Sequence, residues 1–413
     1  MNFERLERLC ETPGAPGREE RVRDLVLEAL ATSCATVSVD ALGNVIGHRP
    51  PTSGHAGSPA APAGPAAPAG PAGPAAPAAP AGGAAGRSPG RAAGSSGEPR
   101  ARRGGPSRGE APAAPRLMVS SHMDEIGFVV SHIDDAGFIR FYCLGGFDAK
   151  TLTAQRVIVH GREDIVGVMG SKPVHLLTEE ERRAAPKIED YFIDVGLSRE
   201  RVAELVTIGD TVTRERAVVR VGDTVCGKSF DNRIGLFVML EALDRLGEHA
   251  VDVWAVASTQ EEVGLRGAQV ATRNVDPDIG IALDITLAND VPDAKPHEHI
   301  TRLGAGTAIK VLDSSVICDH RLVASLRALA RQREIPFQLE VLPRGGTDTG
   351  ALQRSGRGAL VGCLSIPTRY VHSVIEMCHP RDIEATIALL VAFIENVHAE
   401  EWVPVARSAA CPL

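Results

Sequence analysis

Two stretches near the start of the chain repeat apolar residues every three or four positions. They span residues 3–10 and 18–31, the second with Val22, Leu25, Val26 and Leu30 on one face, and both predict amphipathic helices. The period then changes to two. Residues 34–40 (CATVSVD) and 44–49 (NVIGHR) flank Gly43 and predict a strand, turn and strand, and RLMVSSH at 116–122 predicts a buried strand. From about 126 to 222 the segments are short, alternating and punctuated by glycine: IGFVVSHI, GFIRFYC, QRVIVHG, DIVGVMG, YFIDVG and DTVTR. They predict a small β-rich, barrel-like domain, interrupted by helical patterns near 178–185 and 198–206. After residue 230, helices predicted at 231–246, 264–273, 320–333, 348–355 and 380–397 alternate with apolar runs at 251–258, 279–285, 307–312, 337–342 and 359–366. Continuous apolar strands belong to a sheet covered on both faces. The expected fold class is therefore α/β, a mixed sheet with helices on both faces, interrupted by the β-rich domain.

Composition changes this picture at one place. Of the 65 residues from 51 to 115, 49 are Ala, Pro or Gly and none is aromatic, so the stretch is expected to be a disordered insertion. It falls between two predicted strands of one sheet, where a long exposed connection adds little closure entropy. The division expected is 1–50 with 116–125 as the first part of the α/β domain, 51–115 as the insertion, 126–222 as the β-rich domain and 223–413 as the second part. The chain carries a net charge of −8, and the insertion holds six Arg against Glu98 and Glu110, so the rest is more acidic still. That argues against nucleic acid as a partner. The N-terminus, MNFERLERLC, is charged and no run of about 18 apolar residues occurs, so a soluble cytoplasmic protein without membrane contact is expected. Eight cysteines without a C-x-x-C pair read as reduced, buried thiols.

In doubly wound sheets ligands gather at the carboxyl ends of strands, so polar residues at those ends are the candidates for chemistry. RLMVSSHMD delivers His122 and Asp124, AVASTQEE delivers Glu261 and Glu262, GIALDI delivers Asp284, LSIPTRYVH leads to His372, and Asp231 in GKSFDNRIG opens a helix. Two imidazoles with several carboxylates on one rim form a donor set typical of Zn, Co or Mn. His122 and Asp124, two apart on an extended segment, leave the same face, so one can bind metal while the other orients it. Glu261 and Glu262 repel each other unless a cation or a shared proton separates their roles, one as ligand and one as general base. The plainer alternatives are a satisfied strand-end histidine for His122, a solvated acidic turn for the glutamate pair and a helix N-cap for Asp231. Asp284, beside the apolar run IGIAL, needs a partner if buried. In RGGTDTGAL, Thr347 and Asp348 either contact a substrate terminus or only shape a strand-to-helix turn. His132, His160, His175, His297, His299, His320 and His379 lack comparable carboxylate company and read as structural or surface residues. No G-x-S-x-G, phosphate-loop or G-x-G-x-x-G motif follows a predicted strand, which removes support from serine hydrolase, nucleotide hydrolase and dehydrogenase readings.

Taken in order, SSHMDEIGF, GKSFDNRIG, STQEEVGLRGA, IALDIT, GGTDTGA and PTRYVHSVIEMCHPRDIE resemble the glutamyl/deblocking aminopeptidase family whose members assemble tetrahedral particles. The resemblance covers nearly all of the chain except 51–115. It implies a zinc-peptidase-like catalytic domain interrupted by a β-rich dimerisation domain, and two divalent metal ions, Zn or Co, bridged by Asp231. One ion would be completed by His122 and either Glu262 or Asp284, the other by the remaining carboxylate and His372. Glu261 would be the general base, with Asp124 the partner that orients His122, and a metal-bridging hydroxide would attack the peptide carbonyl. Asn232 stands where many relatives have a second Asp. Short peptides are the implied substrates, and the expected assembly is a homo-oligomer, a dimer in preference to a dodecamer because the insertion adjoins the first ligand strand. Arg266, Arg344 and Arg369 lie near the motifs and are candidates for a pocket that takes an acidic residue. Two competing chemistries are an endoglucanase-type glycosidase using two of Glu261, Glu262 and Asp284, and a related metal-dependent deacylase.

Overall fold

The computed structural model describes residues 1–52 and 114–397. The expected disordered insertion thus falls, but for its ends, outside the described residues. Helices α1 (Phe3–Glu11) and α2 (Glu20–Ser33) precede strands β1 (Thr36–Val39), β2 (Val45–Arg49) and β3 (Arg116–His122). Six strands follow, β4 (Gly127–Ile133), β5 (Ile139–Leu144), β6 (Arg156–His160), β7 (Asp164–Gly170), β8 (Phe192–Asp194) and β9 (Thr211–Arg214), with short helices α3 (Glu179–Arg183) and α4 (Arg199–Leu205) flanking β8. The remainder runs β10 (Val219–Val221), β11 (Thr224–Gly227), α5 (Phe230–Arg245), β12 (Asp252–Ser258), α6 (Arg266–Val275), β13 (Ile279–Leu287) and β14 (Thr307–Leu312). It ends with α7 (His320–Gln332), β15 (Phe337–Val341), α8 (Asp348–Arg354), β16 (Leu360–Arg369), β17 (Glu376–Cys378) and α9 (Pro380–Asn396).

Eleven strands form one mixed sheet in the order β1-β2-β12-β3-β13-β16-β17-β11-β10, with β14 paired to β16 and β15 to β14. Strands β4 to β9 close separately into an antiparallel barrel, β4-β5-β8-β7-β6-β9, around Phe128, Val130, Ile139, Val157, Val159 and Ile193. The mixed α/β sheet and the barrel agree with the expected fold class. Val219–Val221, inside the 126–222 stretch, pairs with β11 in the large sheet rather than with the barrel.

Strand β3 shows how both faces of the sheet are covered. The Ser120 hydroxyl donates to Asp348 of α8, while its neighbour Ser121 accepts from the Asn232 amide of α5. Adjacent side chains of a strand point to opposite faces, so α8 and α5 lie on opposite sides. Helix α5 is buried from Phe230 to Leu243, and its apolar residues run all round it, as they do in a helix enclosed by a core. Its close approach to the sheet depends on Gly235, where a Cβ would lie 2.5 Å from Ser121 Oγ.

Strands β12, β3, β13 and β16 run parallel, with Ser258 opposite His122, Ala282 opposite Ser120 and Asp284 opposite Ser365. Their carboxyl ends therefore share one edge of the sheet. No helix among the described residues is long and apolar enough to cross a membrane.

Candidate metal centre

His122 closes β3 and is buried. Its Nδ1 lies 3.0 Å from the main-chain oxygen of Asp124, so Nδ1–H donates there and Nε2 is turned toward the carboxylates. The Asp124 carboxylate, whose Oδ1 is 3.4 Å from the same Nδ1, also accepts the main-chain N–H groups of Glu261 (3.0 Å) and Glu262 (3.1 Å) with its two oxygens. One buried side chain thus holds the turn after β12 that carries both glutamates. Glu19 supports that turn from α2's side, accepting from the N–H of Gln260, which has a left-handed backbone (φ 54°).

Asp231 does not cap α5. The helix begins irregularly, with Ser229 left-handed (φ 54°), Asp231 and Asn232 outside helical geometry and a cis peptide bond between them. Asn232 donates to Ser121 Oγ and to the Leu283 carbonyl, bonds that an Asp carboxylate at this position could not donate. Fully buried Arg233 fastens the same turn, donating to the carbonyls of Leu9, Thr12 and Met123.

These supports bring the candidates together. Asp231 Oδ1 is 3.2 Å from His122 Nε2, and Asp231 Oδ2 is 3.2 Å from His372 Nε2. On one side, Asp284 Oδ1 and Glu261 Oε2 each lie 3.9 Å from His122 Nε2; on the other, Glu262 Oε1 is 3.4 Å from His372 Nε2. Donor atoms of His122, Glu261 and Asp284 fall within 4.8 Å of one another, and so, as a second set, do those of His122, Asp231 and Glu262.

The electrostatics follow from burial and crowding. Desolvation, then the neighbouring negative charges, raises the Glu261, Glu262 and Asp284 carboxyls above their ordinary range. Burial pushes Asp231 the same way, but hydrogen bonds to His122 and His372 hold it low. Burial pulls both imidazoles down, yet the carboxylates beside them win, raising His122 and pushing His372 up to about 11.

Glu262 Oε1 is buried and makes no well-formed hydrogen bond among the described residues, His372 Nε2 at 3.4 Å being its neighbour. Four carboxylates around two imidazoles leave an excess of negative charge, and the nitrogen and oxygen donors suit a divalent transition metal. The residues present therefore fit a metal.

The cluster opens into a cavity of about 560 Å³, walled by Leu265, Ile285, Leu287, Leu342 and Val371, with Arg344 at its edge. Of the other two arginines near the motifs, Arg369 is paired with Asp290 and Arg266 donates to Gln260. Thr347 lines the cavity, but Asp348 is buried beneath it and accepts from the hydroxyls of Ser120 and Ser258, tying β3 to β12. None of the seven histidines set aside above joins the cluster; His160, for example, sits between Asp164 and Thr213 on the barrel. Residues 222–229 (GDTVCGKS) match the spacing of a phosphate loop. Thr224–Gly227 is strand, however, and Lys228 is buried against Glu125 at 2.7 Å. Sequence reasoning assigned no part to Glu376, which is buried here and accepts the main-chain N–H groups of Asp231 and His372. Its only signal in the sequence is its place four residues after His372.

Residues 107–389 match the family described as M42 glutamyl aminopeptidase. The chain is 32% identical over 414 residues to the lysyl aminopeptidase of Pyrococcus furiosus, an alignment that covers 98% of this chain and 100% of that one. Among solved structures it is similar to the aminopeptidase APDkam598 from the archaeon Desulfurococcus kamchatkensis, with a TM-score of 0.81, 32% identity and coverage of 99% of this chain and 98% of the other. It is also similar to the Pyrococcus horikoshii TET1 peptidase, which can assemble into a tetrahedron or a large octahedral shell (TM-score 0.72, 26% identity, 96% and 99% covered). The family match includes every residue of the cluster, and the chain belongs to the M42 glutamyl aminopeptidase family.

Proposed function

We propose that this aminopeptidase-family hydrolase removes N-terminal residues from short peptides with the help of two divalent ions, Zn or Co. The observation that carries this reading is the position of Asp231, one oxygen toward each imidazole, with Asp284 beside one and Glu262 beside the other. His122 and Asp284 would hold one ion, Glu262 and His372 the other, and Asp231 would be shared. Bound there, divalent cations supply Lewis acidity, polarising a carbonyl and acidifying water. Glu261 takes the proton from the attacking water and returns it to the leaving amine. A carboxyl raised by burial suits both halves of that task. Asp124 fixes Glu261 through its main-chain N–H, and the acidic lining attracts the cationic α-amine of a free peptide terminus. The chain is further proposed to act as a homo-oligomer, by likeness to the assembling TET1 peptidase.

Elemental analysis combined with kinetics on a panel of aminoacyl anilides tests the reading. Two ions per chain, with anilide cleavage abolished by a chelator and restored by Zn²⁺ or Co²⁺, is the expected result. Chelator-insensitive cleavage of cellulose-like substrates would replace it with the glycosidase reading, in which His122 and His372 have no role. A panel of N-acyl amino acids decides against the deacylase.

A further inference from the structure

We propose that Glu376 is a positioning residue that sets the distance between Asp231 and His372, and thereby the affinity of the ion His372 would hold. The inference rests on the two-ion reading above.

The two residues arrive from different parts of the fold. Asp231 follows β11, and His372 sits in the connection from β16 to β17. Glu376 lies between the two connections because its own strand pairs with both: Gly227 of β11 is opposite Glu376, and Arg369 of β16 is opposite Met377. From there its carboxylate divides. Oε1 accepts the main-chain N–H of His372 at 2.8 Å, and Oε2 accepts that of Asp231 at 3.1 Å. The side chain is 1% exposed, so water does not compete for these bonds.

Both connections need such a restraint. Tyr370 and His372 have left-handed backbones (φ 59° and 63°), as does Ser229 two residues before Asp231 (φ 54°). Non-glycine residues hold that conformation only where their surroundings impose it. A carboxylate bridging two main-chain donors fixes the backbone at the two points whose side chains face each other at 3.2 Å. Relaxing the bond to His372 lets that imidazole drift from Asp231 and Glu262, while His122 and Asp284 keep the places that β3 and β13 give them.

Glu376→Gln keeps the volume and one acceptor oxygen but turns an NH₂ toward the second N–H. Co²⁺ titration of the full chain, followed by visible absorption, should show two binding steps in the wild type. In the variant one step should shift by roughly 10- to 100-fold and the other stay in place, the size expected for a group that orients a ligand. Turnover at a Co²⁺ concentration that fills both wild-type sites should fall in proportion to the lost second ion. Raising Co²⁺ should restore it, with KM for an aminoacyl anilide unchanged. Two unshifted steps with wild-type turnover would overturn the proposal; so would equal weakening of both steps with a lowered melting temperature, the mark of a general structural role. Should the variant not fold, amide hydrogen exchange on the wild type decides: slow exchange at Asp231 and His372 supports the proposal, and fast exchange at either rejects it. A wild type that takes up fewer than two ions refutes the two-ion reading instead.

Discussion

If His122 and His372 are the ligands proposed above, a proton and a divalent cation would compete for the same nitrogens. Both imidazoles are drawn toward their charged forms by the carboxylates around them, His372 up to about 11. A cation must displace those protons, so apparent affinity should rise with pH and fall as acid is added. Co²⁺ titrations between about pH 6 and pH 8, where raised imidazoles still carry their protons, should show this slope; a flat profile would remove the imidazoles from the ligand set. Glu261→Gln separates base from ligand. As base, its loss should lower turnover by about 10²- to 10⁴-fold with Co²⁺ uptake intact, whereas a ligand role would reduce uptake as well. Arg344 is the cation at the cavity's edge, and Arg344→Ala should lower cleavage of a glutamyl anilide relative to a leucyl one, with leucyl turnover unchanged. The residue types of this site were readable from strand ends. The side of the site on which Glu262 and Asp284 stand was not, because it depends on how β12, β13 and the connection after β16 are arranged around Asp231 in space. Glu376 was also hidden, since it acts through main-chain N–H groups that no sequence spacing records.

Helix α5 enters the site through a turn that Arg233 holds from inside the core. Three carbonyls, on Leu9, Thr12 and Met123, depend on this guanidinium, and Glu125 lies 3.7 Å from it. Arg233→Met fills the space but leaves the carbonyls and Glu125 underserved, so it should cost on the order of 3–5 kcal/mol in urea unfolding. A change under about 1 kcal/mol would show that the network contributes little. The long elements were legible because their signals are strong: β3, β12, β13 and β16 are built around apolar runs, and α2 buries Val22, Val26 and Leu30 as its period indicates, with Leu25 half-buried against the same core. Strands β10, β11 and β17 carry three or four residues each, and they exist because β16 extends to Arg369 and offers an edge, a tertiary cause that no local period records. That edge is what brings Glu376 to Asp231.

Across the whole molecule, the described chain stops at Thr52 and resumes at residue 114, and both ends fasten to one short segment. Thr52 exchanges hydrogen bonds with His249, and the Pro115 carbonyl accepts from the Asp252 N–H. The two ends are therefore close neighbours on the body of the fold. Replacing residues 53–113 with a short Gly/Ser linker should leave Co²⁺ uptake and anilide cleavage near wild type, and loss of folding would show that the segment is needed by the sheet. Gel filtration of the same deletion tests assembly: a larger particle than the parent forms would mean that the segment limits oligomer growth. The attachment point lies before β3, whereas His122 ends that strand seven residues later, about 23 Å away at the usual rise per residue. A fluorescent tag or a surface anchor grafted there would thus be held by the scaffold while staying a strand's length from the chemistry, which makes this junction a natural handle for building fusions.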